Sequence, residues 1–236
     1  MPLPEWIVIG DLHALAERLV TELGDVARQG VGARGEWTLA IPGGSVAERL
    51  LPLLWRAPLP WGACHVVWCD ERMVPADDAA SNQGAVRRAM PASMPWAMHP
   101  MPVDATDPEL AAREYARTLR ALMGPGGVLD AVLLGVGEDG HVASLFPGQG
   151  TLDETERTVV VEHEAPKAPP LRLSLTMPVL TRARLTCVAA FGEGKQAAVR
   201  DACDASGTTP VSRCLHQARR PLLLVDSDAA AFLPPR

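Results

Sequence analysis

Short, mainly apolar runs alternate with helix-period segments along this chain, and that alternation constrains its fold more than any other feature. Ile7-Val8-Ile9 is followed by Leu12, Leu15, Ala16, Leu19, Val20 and Leu23 at helical spacing, and Trp37 to Ile41 by a helical stretch over Val46 to Trp55. Val66 to Cys69, Ala131 to Leu134, Leu171 to Thr176, Leu185 to Ala190 and Leu222 to Val225 read as further strands. A strand apolar on both faces has to be covered on both, which intervening helices achieve for a mainly parallel sheet. The expected fold class is therefore α/β. Asp107 ahead of Pro108 gives an N-cap with proline in the first turn of a helix reaching Met123, where Gly124-Pro125-Gly126-Gly127 stops it. Lys195 to Ala202 and the last residues also read as helical, and the Pro- and Met-rich segment from Pro91 to Pro102 reads as a long surface loop.

At 236 residues and 47% hydrophobic content the chain can bury one substantial core, so residues 1–236 are expected to form a single domain. No apolar run approaches the roughly 20 residues of a membrane helix, and no basic segment precedes an apolar one near the N-terminus, so a soluble cytoplasmic protein is expected. The five cysteines (Cys64, Cys69, Cys187, Cys203 and Cys214) are scattered, as suits reduced thiols, and the six histidines never fall at zinc-ligand spacing. No structural metal is expected. A net charge of −6, from 22 basic and 28 acidic side chains with no Lys/Arg run, argues against a nucleic-acid partner. An anion could still be held by backbone N–H groups and a few converging cations, because net charge speaks to solubility and steering rather than to a site.

Three polar clusters lie just past apolar strands, where ligands of open α/β sheets sit. Pro42-Gly43-Gly44-Ser45 offers backbone that can approach a phosphate ahead of a helix, although a GGS turn alone also serves as an ordinary strand-to-helix connection. Asp70-Glu71-Arg72-Met73-Val74-Pro75 places three charges directly after a buried strand, with Ser81-Asn82 beyond at a helix start; a solvated loop with Ser81 as N-cap is the plainer alternative. Leu134 to Gly148 contains Gly135, Gly137 and Gly140 in a GxGxxG pattern, but Pro147-Gly148 cut off the long helix that a dinucleotide fingerprint has to open. His141 in that loop can titrate near neutral pH at the mouth of the sheet, and Asp139 could orient it. Arg172 stands in an otherwise apolar strand, where an unpaired charge is costly, and Lys195 opens a helix after Gly192-Glu193-Gly194.

These motifs, in this order, resemble the 6-phosphogluconolactonase family, part of a superfamily that also holds glucosamine-6-phosphate deaminases. The resemblance rests on the GGS loop, DERMVP with Ser81-Asn82, LGVGEDGHVASLFPG, RLSLTMPVLTRAR from Arg172 to Arg184, and GEGK ending at Lys195. It implies a three-layer α/β/α sandwich with a Rossmann-like sheet, hydrolysis of 6-phosphogluconolactone in the oxidative pentose phosphate pathway, no cofactor, and a monomer. By matching positions, Gly43, Gly44, Ser45, Arg172 and Lys195 would hold the phosphate, and Asp70, Arg72, Asp139 and His141 would surround the lactone. Val46 and Val142 stand where threonines are common in the family, the first removing a hydroxyl that could contact phosphate.

Two rival readings follow from the superfamily. Deaminases carry an FNEP-like segment after the histidine, whose glutamate assists ring opening; here Ser144-Leu145-Phe146-Pro147 puts Phe146 at the acid's position, and Arg72 replaces a favoured aromatic residue. A sugar-phosphate sensor attached to DNA would need a helix-turn-helix, for which the strand at Ile7 leaves no room ahead of it, while a free-standing binding protein differs from the enzyme only in lacking turnover.

Overall fold

The computed structural model describes residues 7–91, 93–124 and 126–233. Among them are strands β1 (Ile7–Ile9), β2 (Trp37–Ile41), β3 (Cys64–Trp68), β4 (Asp70–Arg72), β5 (Ala97–His99), β6 (Ala131–Gly135), β7 (Val159–Glu162), β8 (Arg172–Leu175), β9 (Leu185–Ala190) and β10 (Pro221–Val225). The α-helices are α1 (Leu12–Arg34), α2 (Gly44–Arg49), α3 (Leu51–Leu54), α4 (Asn82–Ala89), α5 (Pro108–Leu122), α6 (Met177–Arg182), α7 (Gln196–Cys203) and α8 (Pro210–Gln217).

Seven strands form one sheet in the order β1-β10-β9-β6-β2-β3-β5, and every neighbouring pair is parallel. Helices flank it in an α/β/α arrangement: α1 packs on β2 and β9, α2 on β6, and α8 on β9 and β10. Leu39, Ala40 and Ile41 of β2, Leu133 and Leu134 of β6 and Val188 of β9 are all fully buried, which is why these strands have no polar face to alternate with. Removing a Leu, Ile or Val side chain of this kind from water contributes about 1.5–3 kcal/mol.

The strand order also locates a crevice. From β2 the chain steps outward through β3 to β5, whereas from β6 it steps the other way through β9 to β10. The direction reverses between β2 and β6, and loops leaving such a pair diverge at their carboxyl ends. Those loops are Pro42-Gly43, which runs straight into the first turn of α2 at Gly44 and Ser45, and the segment from Val136 to Ala143.

Several boundaries differ from the sequence reading. The helical stretch over Val46 to Trp55 is divided into α2 and α3, because Pro52 has no N–H to continue the ladder. α1 runs on to Arg34 and ends where Gly35 turns left-handed at φ 80°. The segment from Pro91 to Pro102 is not all loop, since β5 adds to the edge of the sheet beside β3; Ala92 lies outside the described residues. α5 ends at Leu122, and of the stop signal after it Pro125 lies outside the described residues. The expected terminal helix is absent among the described residues, where 227–233 form turns; 234–236 lie outside.

A second sheet was not legible in the apolar pattern. β4, β8 and β7 form a three-stranded antiparallel sheet in which Asp70 faces Ser174, Arg72 faces Arg172, and Glu162 faces Arg172 from the other side. The charged run Asp70-Glu71-Arg72 is thus a strand rather than a solvated loop, and Asp70 and Glu71 are buried within it.

Candidate active site

A cleft of about 280 Å³ opens at the carboxyl ends of β2 and β6. Gly43, Gly44, Ser45, Asp70, Arg72, His141, Arg172 and Lys195 all line it, so the strand reversal and the second sheet bring together residues that lie up to 152 positions apart in the chain (43 to 195). Asp139 does not line the cleft. It lies beside it, bonded to His141.

The loop after β6 is folded back on itself by the Gly137 N–H donating to His141 O at 2.8 Å and the Gly140 N–H donating to Gly137 O at 3.1 Å. Gly137 has no room for a Cβ, which would run into the His141 imidazole and the Asp139 carboxylate. His141 Nδ1 meets Asp139 Oδ1 at 2.5 Å, leaving Nε2 as the ring nitrogen without a partner among the described residues. Burial pushes the imidazole below its ordinary pKa; Asp139 and then Asp70 oppose this, while Lys167 adds to it. Burial would raise Asp139, but the charge of His141, its two hydrogen bonds and Lys167 together hold the carboxyl below its usual range. The pair therefore reads as an ionised carboxylate orienting a neutral imidazole.

Asp70 is fixed from two sides. Its Oδ2 accepts from Ser144 Oγ at 2.7 Å, and its Oδ1 and backbone carbonyl accept from Asn82 Nδ2 at 3.3 and 2.9 Å. Asn82 also fills the space beside the Gly43 Cα, where any side chain would collide with it, and so links β4 to the GGS loop. Glu71, fully buried, accepts the N–H groups of Arg72 (2.7 Å), Asn82 (2.8 Å) and Gln83 (2.6 Å) and the Ser81 hydroxyl (3.2 Å). Burial raises its pKa, the three backbone donors oppose the rise, and Asp70 adds to it. Arg72 Nη1 donates to Ala80 O at 2.6 Å, while its Nε is buried with no partner among the described residues.

Arg172 is almost entirely buried, and its charge is answered mostly by carbonyls. Nε donates to Pro169 O at 2.9 Å, Nη2 to Lys167 O at 2.6 Å and Nη1 to Ser144 Oγ at 3.5 Å. A guanidinium carries five N–H groups, so two stay uncommitted. Burial and Arg72 lower its pKa, with Asp70, Glu162 and Asp139 opposing. Lys195 is lowered by burial, opposed by Glu138, and lowered further by Lys167. Together with Lys167, four cations line the cleft of an acidic protein.

Sequence reading had Glu71, Asn82 and Ser144 within its motifs but gave them no part in the site, and it missed Lys167 altogether. Ser144 left a faint signal, a hydroxyl within the otherwise apolar run from Val142 to Phe146, and Glu71 lay inside a charged run whose strand character was not apparent. Lys167 left none, because it belongs to an irregular Pro-rich segment. Among the described residues, no His, Cys, Asp and Glu side chains are grouped to hold a metal ion, and no helix is long and apolar enough to cross a membrane.

A polar, cation-lined cleft at the switch point of a parallel sheet, with a carboxylate-oriented histidine at its mouth, defines an α/β protein built to handle a small anionic ligand. The chain matches the family described as glucosamine-6-phosphate isomerases/6-phosphogluconolactonase over residues 10–223, and belongs to it. It is similar to the 6-phosphogluconolactonase of Streptomyces coelicolor, with 35% identity covering 98% of this chain and 95% of that one, and to the human 6-phosphogluconolactonase, with 38% identity covering 79% and 76%. Among solved structures, the 6-phosphogluconolactonase from Trypanosoma cruzi superposes with a TM-score of 0.84 at 27% identity, covering all of this chain and 99% of that one. A monomeric glucosamine-6-phosphate deaminase shares the fold at 19% identity and a TM-score of 0.79, covering 96% of this chain and 99% of that one.

Proposed function

We propose that this chain hydrolyses 6-phospho-D-glucono-1,5-lactone to 6-phospho-D-gluconate, the lactone-opening step of the oxidative pentose phosphate pathway. The observation that carries the reading is the Asp139–His141 pair at the cleft mouth: one imidazole nitrogen engaged at 2.5 Å, the other unpartnered. Nε2 takes a proton from water as the water oxygen bonds to C1 of the lactone. As the bond from C1 to the ring oxygen breaks, the same nitrogen returns the proton to that oxygen. The new carboxylic acid loses its proton to solvent. Arg72 faces the carbonyl oxygen as negative charge develops there, help of a kind worth about 3 kcal/mol when a single donor is removed. Asp70, held by Ser144 and Asn82, binds sugar hydroxyls.

The 6-phosphate lies against the Gly43-Gly44-Ser45 backbone and Lys195, with the two uncommitted N–H groups of Arg172 completing its site. The reaction needs no cofactor on this route. A coupled assay with freshly made lactone tests the reading: a rate well above spontaneous hydrolysis is expected, and a rate equal to that of buffer overturns it. Glucosamine 6-phosphate should release no ammonia, since the residue packed against the imidazole is Phe146 rather than an acid.

A further inference from the structure

The mechanism above leaves one neighbour of His141 without a part. Phe146 is fully buried, and its ring centroid lies 4.4 Å from that of the imidazole, the two planes tilted by 41°. The guanidinium carbon of Arg172 lies 5.3 Å from the same ring centroid. Ring contacts at such distances are directional, and a cation near an aromatic ring is attracted by its quadrupole. Phe146 thus contacts both the histidine and a buried cation whose own donors reach Lys167 O, Pro169 O and Ser144 Oγ.

Asp139 restrains the imidazole at Nδ1 only, and one hydrogen bond leaves a ring free to rock about it. A flat apolar partner removes that freedom and excludes water from the face it covers. The charged groups that act on the imidazole are Asp139 in its own loop, Asp70 of β4 and Lys167 of the segment before β8, with Arg172 of β8 beside the Phe146 ring. Two are acidic and favour the protonated ring. What outweighs them is burial, and Phe146 is a neighbour that supplies it.

We propose that Phe146 is a positioning residue for the hydrolysis: it fixes the attitude of the His141 ring toward the cleft and screens that ring from water. The proposal rests on the lactonase reading for its kinetic consequences, but not for its spectroscopic ones. The same side chain also denies the imidazole a second acid, so it bears on which reaction the cleft performs.

The test combines wild type, Phe146→Leu, His141→Ala and the double variant. Leucine keeps an apolar side chain of comparable reach but loses the ring contact. In Phe146→Leu, kcat should fall about tenfold with KM little changed, and the acid limb of kcat/KM should move to higher pH, because misplacing a reacting group by an ångström can cost up to about 10²-fold. In the His141→Ala background the same substitution should add almost nothing, since the group it positions is gone. A folded Phe146→Leu protein with unchanged kcat and acid limb overturns the proposal, as does an equal loss in both backgrounds. Should Phe146→Leu fail to fold, proton NMR of the wild type decides. The imidazole C–H resonance missing from His141→Ala should be shifted upfield by the neighbouring ring and titrate below the ordinary histidine range. A resonance with no ring-current shift, titrating at or above that range, refutes the proposal even if lactonase activity is present; the expected upfield, low-titrating resonance without lactonase activity refutes the functional reading instead.

Discussion

The two sheets of this protein bury very different residues. The central strands of the seven-stranded parallel sheet carry fully buried aliphatics and reach the cleft only at their carboxyl ends, through Gly135 of β6 and the segments that follow β2 and β6. The three-stranded antiparallel sheet buries Asp70 and Glu71 in β4, Glu162 in β7 and Arg172 and Ser174 in β8, with those of β4 and β8 beside the cleft. An unpaired buried charge costs far more than an aliphatic side chain contributes, so each charge is held by polar partners: Ser144 and Asn82 on Asp70, four donors on Glu71, the Thr151 hydroxyl and the Glu164 N–H on Glu162, two carbonyls and a hydroxyl on Arg172. The large sheet provides a scaffold; the small one spends stability on groups aimed at a ligand.

The sharpest break of that contrast would be at the loop shared by both. His141→Ala should leave the fold intact and lower kcat by 10²- to 10⁴-fold, the range of a general acid-base group, as read in the coupled lactone assay. A variant with near-normal turnover would make the histidine structural and move the search for a base to Asp70. Next comes the anion site. Losing two charge-assisted hydrogen bonds at about 1.5–3 kcal/mol each should lower kcat/KM for unphosphorylated gluconolactone roughly 10²-fold or more. Lys195→Ala should reproduce part of this on the phosphorylated substrate and barely alter the other. Arg172→Ala should weaken both, because it also releases the carbonyls of Lys167 and Pro169.

Stability gives a paired test of similar size in each sheet. Leu133→Ala in β6 should cost about 2–5 kcal/mol in denaturant unfolding yet leave kcat/KM per folded molecule unchanged. Glu71→Ala strands three backbone N–H groups and a hydroxyl, at least about 3 kcal/mol, and should lower kcat/KM as well by loosening Arg72 and Asn82. Equal behaviour of the two variants would erase the division between scaffold and site.

The pH profile is a smaller effect with a definite sign. Burial lowers His141 below its ordinary value of 6.5, so the neutral base persists on the acid side and kcat/KM should fall only below about that pH. Asp139 opposes the lowering; Asp139→Asn should therefore carry the acid limb to still lower pH while reducing kcat. A limb that moved upward would remove Asp139 as the orienting group. Smallest of all, Arg28→Ala on the outer face of α1 breaks an exposed pair with Asp25 and should change stability by less than about 0.5 kcal/mol, with no change in turnover.

Much of this was already fixed by residue order. Apolar runs with no polar alternation require cover on both faces, so Trp37 to Ile41 and Ala131 to Leu134 specify parallel strands within helices without reference to contacts. The glycine-rich turns after them specify loops, and a histidine two residues past Asp139 lets the carboxylate reach the ring within one turn of chain. Those are local relations, carried by spacing. The second sheet, the division of Val46 to Trp55 into two helices and the edge strand β5 depend on partners distant in sequence or on a single proline, and the hydrophobic period carries no trace of them. Whether Arg172 is a surface charge or a buried one, and that Glu71 joins the Ser81 cap in holding the start of α4, follow from β4 pairing with β8 across roughly a hundred residues. A charge reads the same in a sequence wherever it lies; only tertiary structure supplies the donors and carbonyls that decide whether it can be buried, and hence whether it can work there.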